Sequence, residues 1–227
     1  MHYSTLFLNV SIPLPRHICT IRKGIETTMT QSPLQDIISF ILEIDKLKAV
    51  IRKTRPKDLG RYENSAEHSW QVSLAALMLQ DYAAQTVDIN RVVRMLLIHD
   101  LGEIDAGDVI VYAAQDPAHQ AAERAGVARL LGMLPNKMGG QYLALWDEFE
   151  AAQTPEAKFA KALDRALPLI HNLHDNGHSW RQHGIQKHQI DAVSKPRIVQ
   201  GCPELWELVE PILSKAEADG WFEKSTH

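Results

Sequence analysis

The sequence predicts an all-α fold in a single domain, and three observations carry that expectation. From Leu34 onward, apolar residues return at intervals of three and four, with Ile37, Ile38, Ile41, Ile44, Leu47 and Ile51 forming one stripe. Helix-start signals recur along the chain: Asn64 stands three residues before Glu67, and Asp116 and Thr154 each directly precede a proline. No apolar and polar alternation runs long enough to make a strand, and there is neither an internal repeat nor a low-complexity tract.

Taken in order, the first helix runs from Leu34 and ends before Pro56, because the residue preceding a proline is pushed out of the helical region. Asn64 and Glu67 make the capping box of a second helix, in which Val72, Ala75 and Leu79 form the buried stripe. Asp88 caps a third helix that continues through Leu101, with Gly102 as its terminator. Asp116 with Pro117 and Thr154 with Pro155 start two more, and further helices cover 139–151 and 203–219. The segments least like helix are Arg55 to Tyr62 and Gly102 to Gln115, the kind of exposed loop on which sites are built.

Composition removes several function classes. A length of 227 residues suits one domain with a substantial core. The 24 Lys+Arg against 28 Asp+Glu leave a formal charge of −4, so no basic field exists to hold a nucleic-acid polymer. Cys19 and Cys202 build no disulfide framework and no C-x-x-C pair, which points to the reducing cytosol. No apolar run approaches the roughly 20 residues that span a bilayer, so no membrane partner is expected. The early stretch Leu6 to Leu14 is broken by Asn9, Ser11 and Pro13 and makes a poor signal peptide. Arg16, Arg22 and Lys23 precede the first acidic residue, Glu26, a composition that also suits a transit peptide. The preferred expectation is an extension over residues 1–30 with the natural start at Met29, followed by the domain over 31–220.

The chemistry concentrates where Met95, Leu96, Leu97 and Ile98 lead into His99 and Asp100. A carboxylate at a helix C-terminus is repelled by the helix dipole, and after an apolar lead-in it is poorly hydrated, so a bound cation would resolve both costs. Asp164 falls on the stripe of Ala160, Leu163, Leu167 and Ile170, and His68 lies four residues before Val72. Three helices thus each send a metal-capable side chain inward. Two imidazoles and two carboxylates suit one divalent transition ion such as Mn, Co, Ni, Fe or Zn, which activates water and polarises a phosphoryl oxygen. Taken singly, an inward histidine or aspartate is more often a hydrogen-bonded core residue, and on pattern alone both readings stay open.

The set His68, His99-Asp100 and Asp164 resembles the H…HD…D signature of the HD superfamily of metal-dependent phosphohydrolases. The segments Arg61 to Ser69, Ile98 to Glu103, Gly107-Asp108 and Ala157 to Asp164 are similar to those of the bacterial 5′-deoxynucleotidase and its HD-domain-containing relatives. The resemblance spans about Leu34 to Leu173. It implies an HD-domain helical bundle, His68, His99, Asp100 and Asp164 as ligands of a single metal, and a homodimer. It also implies hydrolysis of nucleoside 5′-monophosphates to nucleoside and phosphate. Glu103 corresponds to the family's catalytic carboxylate and Asp108 to a second acid beside the substrate, both suited to managing protons in ester hydrolysis. Arg61 is a candidate phosphate contact, since a guanidinium matches phosphate oxygens in a fork. Glu67 already has a structural task in the capping box. The family's Arg-Trp pair upstream of the first histidine is matched only by Arg52, Lys53 or Arg55 for the arginine and by nothing for the tryptophan, so selectivity for deoxyribose is not implied. His171, His174, His178, His183 and His188 are read as solvated surface residues. The alternative functions are hydrolysis of another small phosphomonoester or of a nucleotide pyrophosphate, or a non-catalytic nucleotide-sensing module.

Overall fold

The computed structural model describes residues 32–113 and 116–222. The expected extension over 1–30 lies outside the described residues. Among those described there are ten α-helices and no β-strand, so the fold is all-α. No helix among them is long and apolar enough to cross a membrane.

Helix α1 (Pro33–Ile44) starts on a capping box of Ser32 and Gln35. The first predicted stripe does not stay in one helix: the chain tightens into a 3₁₀ turn over Asp45–Ala49 and then extends. Backbone pairing explains the break. Ile51 bridges Asn64 in antiparallel fashion, and the Arg52 N–H donates to the Glu63 carbonyl at 2.9 Å. This pairing lays Arg52 and Glu63 beside the start of α2 (Ser65–Leu79), where the Asn64 and Glu67 capping box forms as the sequence predicts. The buried line of α2 is His68, Ser69, Val72, Ser73 and Ala76, whereas Ala75 and Leu79 of the expected stripe are only half-buried.

Helix α3 (Ile89–Ile98), capped by Asp88, stops at Ile98 rather than Leu101. A turn carries His99 and Asp100 into the short α4 (Glu103–Ala106). Gly102 is not the left-handed terminator the sequence suggests, because its φ is −63°. Its role is close approach: a Cβ there would stand 2.5 Å from the Glu123 carbonyl oxygen of α5 (Pro117–Leu131). Next come α6 (Met138–Ala151) and α7 (Pro155–His174), with Thr154 capping α7 and Pro155 in its first turn. Then follow α8 (His178–His183), α9 (Lys187–Gly201) and α10 (Pro203–Ala218).

Helix α7 is the axis of the domain. One apolar cluster around it contains Met95, Leu96, Leu130, Phe149, Phe159 and Leu163. A second contains Leu169, Trp180, Ile190, Ile198, Trp206 and Leu213. Each such side chain contributes about 1.5–3 kcal/mol on full burial, so both ends of α7 are held firmly. Its middle therefore offers a rigid place for polar residues.

Candidate metal centre and its cavity

The polar residues of that middle meet the ends of α2 and α3. His68, in the second turn of α2, is fully buried, and its Nε2 lies 3.1 Å from Asp164 Oδ1 on α7. His99 follows α3 directly, and its Nδ1 lies 2.7 Å from the Leu96 carbonyl oxygen. Donation of that N–H to the carbonyl turns the Nε2 lone pair inward, the tautomer a metal-binding imidazole needs. The Nε2 points at two carboxylates, 3.0 Å from Asp100 Oδ1 and 3.5 Å from Asp164 Oδ1. Trp146 Nε1 donates to the His99 carbonyl at 2.9 Å and fixes the turn. Donor atoms of His68, His99 and Asp100 all lie within 4.8 Å of one another, with Asp164 closing the group from α7.

This donor set fits a divalent ion. The buried Nε2 of His99 has no hydrogen-bond partner, and as a lone pair between carboxylates it is repelled unless a cation stands there. Protonation of the imidazole is another remedy. Burial pulls His99 down, but Asp100 and Asp164 overcome it and lift the imidazole to about 10. His68 goes the other way: burial and the Arg52 charge push it to about 4. Against burial, His99 and Arg52 hold Asp100 below the usual carboxylate range, and Arg165 with the two histidines does the same for Asp164.

Glu103, the first residue of α4, accepts a hydrogen bond from Ser65 Oγ on Oε2. Burial and the Asp100 charge raise its carboxyl to about 9, with Arg52 pulling the other way. Burial raises Asp108 as well. Arg52 joins these acids: its Nη1 is 2.9 Å from Asp100 Oδ2, 3.7 Å from Asp108 Oδ1 and 3.8 Å from Glu103 Oε1. Of the three basic candidates, Arg52 is the one set among the carboxylates. Lys53 lines the cavity above them, and Arg55 is tied to Asp175 at 2.7 Å.

The structure does not bring Arg61 to this place. Its exposed guanidinium forks onto Glu67 and bonds the Tyr62 carbonyl, outside the cavity. The histidines divide: His174 and His188 are exposed as expected, but His171 is 9% exposed and lies 3.8 Å from Glu63, and His183 lines the cavity. They form no second cluster, because α8 and α9 scatter them.

The cavity measures about 380 Å³. His99, Asp100, Glu103, Asp108 and Asp164 line its polar floor, Tyr112, Trp180 and Ile185 one wall, and Glu123, Glu150 and Lys161 another. On that second wall Lys161 pairs with Glu150 at 2.7 Å, and burial lifts Glu123 to about 7. Sequence reasoning missed Glu63, Glu123 and Lys161. Lys161 carried a usable signal, standing three residues before Asp164 on the same buried side of a helix.

Residues 44–206 match the HD domain family. The chain belongs to the HD-domain family. This HD-domain chain is similar to 5′-deoxynucleotidase HDDC2 of Xenopus laevis, 25% identical over 179 residues that cover 76% of this chain and 87% of that protein. The Danio rerio HDDC2 is 28% identical, covering 63% and 70% respectively. Among solved structures, a predicted metal-dependent phosphohydrolase from Magnetospirillum magnetotacticum MS-1 is 43% identical, with a TM-score of 0.79 over 84% of this chain and 95% of that one.

Proposed function

We propose that this HD-domain chain is a metal-dependent phosphohydrolase that converts nucleoside 5′-monophosphates to nucleoside and phosphate. The observation that carries the reading is the convergence of His68, His99, Asp100 and Asp164 beneath a cavity that also holds Arg52, Glu103 and Asp108. The names of the HDDC2 relatives and of the Magnetospirillum phosphohydrolase support it.

His68, His99, Asp100 and Asp164 would hold one divalent transition ion. Such an ion supplies an activated water and neutralises phosphoryl charge. Arg52 and Lys53 bind and orient the phosphate from the cavity side, a task Arg52 performs better than the exposed Arg61. Burial and the Asp100 charge favour the protonated form of Glu103 in the metal-free site, and in this reading Glu103 delivers a proton to the departing 5′-oxygen, which spares the alkoxide from leaving as an anion. Asp108, facing the same Arg52 nitrogen, takes the opposite proton duty on the attacking side. A cavity of about 380 Å³ falls in the range of small-molecule sites, and Tyr112, Trp180 and Ile185 give the nucleoside an apolar wall that excludes water.

A homodimer is proposed as well. It is supported by the exposed apolar side chains of α1, namely Leu34, Ile38, Ile41 and Leu42, and by Trp70, Leu74 and Met78 of α2. The proposed compartment is the reducing cytosol, supported by the buried free thiol of Cys202. The test is phosphate release over deoxy- and ribonucleoside 5′-monophosphates, nucleoside diphosphates and sugar phosphates, after reconstitution with Mn, Co, Ni, Zn or Mg. The reading expects the 5′-monophosphates to be cleaved fastest. Cleavage confined to sugar phosphates or pyrophosphates would overturn it.

A further inference from the structure

Beside the metal centre, and not among the residues that line the cavity, one acid collects an unusual set of neighbours. Glu63 is 1% exposed, and its Oε1 lies 3.5 Å from Arg52 Nε and 3.7 Å from His68 Nδ1. Its Oε2 lies 3.8 Å from His171 Nδ1. These separations are longer than good hydrogen bonds, and Arg52 is the charged partner among the three. Arg52 Nε, His68 Nδ1, His171 Nδ1 and Glu63 Oε1 are all buried, and none has a hydrogen-bond partner. Orphaned buried polar atoms are costly when isolated, and three nitrogens gathered about one carboxylate point to a shared purpose.

The geometry points to Glu63 as a positioning residue that fixes both the tautomer of His68 and the orientation of Arg52, so that metal binding and phosphate binding depend on one buried acid. It rests on the reading that His68 holds the metal through Nε2. That nitrogen carries a lone pair only if the proton sits on Nδ1, and Nδ1 faces Glu63. The Arg52 Nε–H faces the same carboxylate, leaving the far edge of the guanidinium for Asp100 and the cavity. The backbone pairing of Arg52 with Glu63 at 2.9 Å makes the two side chains a fixed unit before α2 begins. His171 brings the end of α7 to the same carboxylate, which joins the helix bearing Asp164 to the arrangement.

The test compares wild type, Glu63→Gln and Leu169→Ala in the full chain. The glutamine keeps size and one acceptor but loses the charge, and Leu169→Ala weakens the second apolar cluster without touching Glu63. Mn²⁺ dissociation constants are measured on metal-stripped protein by chelator competition. Inorganic phosphate affinity is measured separately at saturating Mn²⁺. The expectation for Glu63→Gln is about tenfold or more weaker Mn²⁺ binding, the usual scale for removing a group that orients a metal ligand. Weaker phosphate binding should accompany it, whereas Leu169→Ala lowers the melting temperature and leaves both affinities alone. Wild-type affinities in a folded Glu63→Gln, or equal losses in Leu169→Ala, would overturn the inference while leaving the metal centre standing. Failure of wild type itself to bind Mn²⁺ would overturn the metal-site reading first and the inference with it.

Discussion

Replacing Glu103 by glutamine should stabilise the metal-free domain while nearly abolishing turnover. Burial and Asp100 lift the folded carboxyl from 4.5 to about 9. A folded value above the unfolded one means that the stability this group contributes is complete below 4.5 and is lost as pH rises through about 9. At pH 7 the unfolded carboxylate is ionised and the folded one is held protonated. At about 1.4 kcal/mol per pH unit, that difference costs about 3 kcal/mol. Glutamine never ionises, can still accept from Ser65 Oγ, and avoids that cost. For a chain of this size the gain corresponds to a rise in melting temperature of about 6–12 °C. The assay is thermal unfolding in chelator near pH 5 and near pH 8. The gain should be under about 1 kcal/mol at the lower pH and larger at the higher one. Turnover of the metal-loaded variant should fall by about a hundredfold or more, with metal retained. An equal gain at both pH values, or a destabilised variant at high pH, would refute the argument, and near-normal turnover would remove Glu103 from proton transfer.

Asp100→Ala should end both metal binding and phosphate release while helical circular dichroism survives, because the residue lies in the turn after α3 rather than in either apolar cluster. Retention of a full metal equivalent would remove Asp100 from the ligand set. Arg52→Ala should raise KM for the phosphorylated substrate by about tenfold or more, the scale of losing a charge-assisted contact worth about 1.5–3 kcal/mol. Arg61→Ala should change KM by less than about twofold, since its exposed pair with Glu67 contributes little. The reverse ranking in steady-state kinetics would return the phosphate contact to Arg61.

The parts of this fold that were legible in the sequence are those set by local chemistry. The Asn64 and Glu67 capping box, Asp116 with Pro117 and Thr154 with Pro155 each act within four residues, and each appears where it was expected. The inward course of His68, His99, Asp100 and Asp164 was legible for a related reason, since a charged or imidazole side chain on an apolar helical line has few places to go. What escaped depends on contacts between distant segments. Arg52 could not be chosen over Lys53 and Arg55 because its direction is set by the pairing of Ile51 with Asn64 and of Arg52 with Glu63. Gly102 looked like a helix terminator but serves the approach of α5, which no local pattern records. Helix α9 was hidden by its polar surface and by Pro196, and it is held by the depth to which Ile190 and Ile198 are buried against α7. His171 shared its spacing with surface histidines and differs in having Glu63, from the paired segment that precedes α2, set against it.

The central claim is that one divalent ion held by His68, His99, Asp100 and Asp164 is required for cleavage of a nucleoside 5′-monophosphate. Phosphate release from dAMP by chelator-stripped protein, followed as Co²⁺ is added back, tests it most directly. The stripped protein should release no phosphate, and recovery should saturate at one equivalent of metal per chain. Undiminished release from the stripped protein would contradict it.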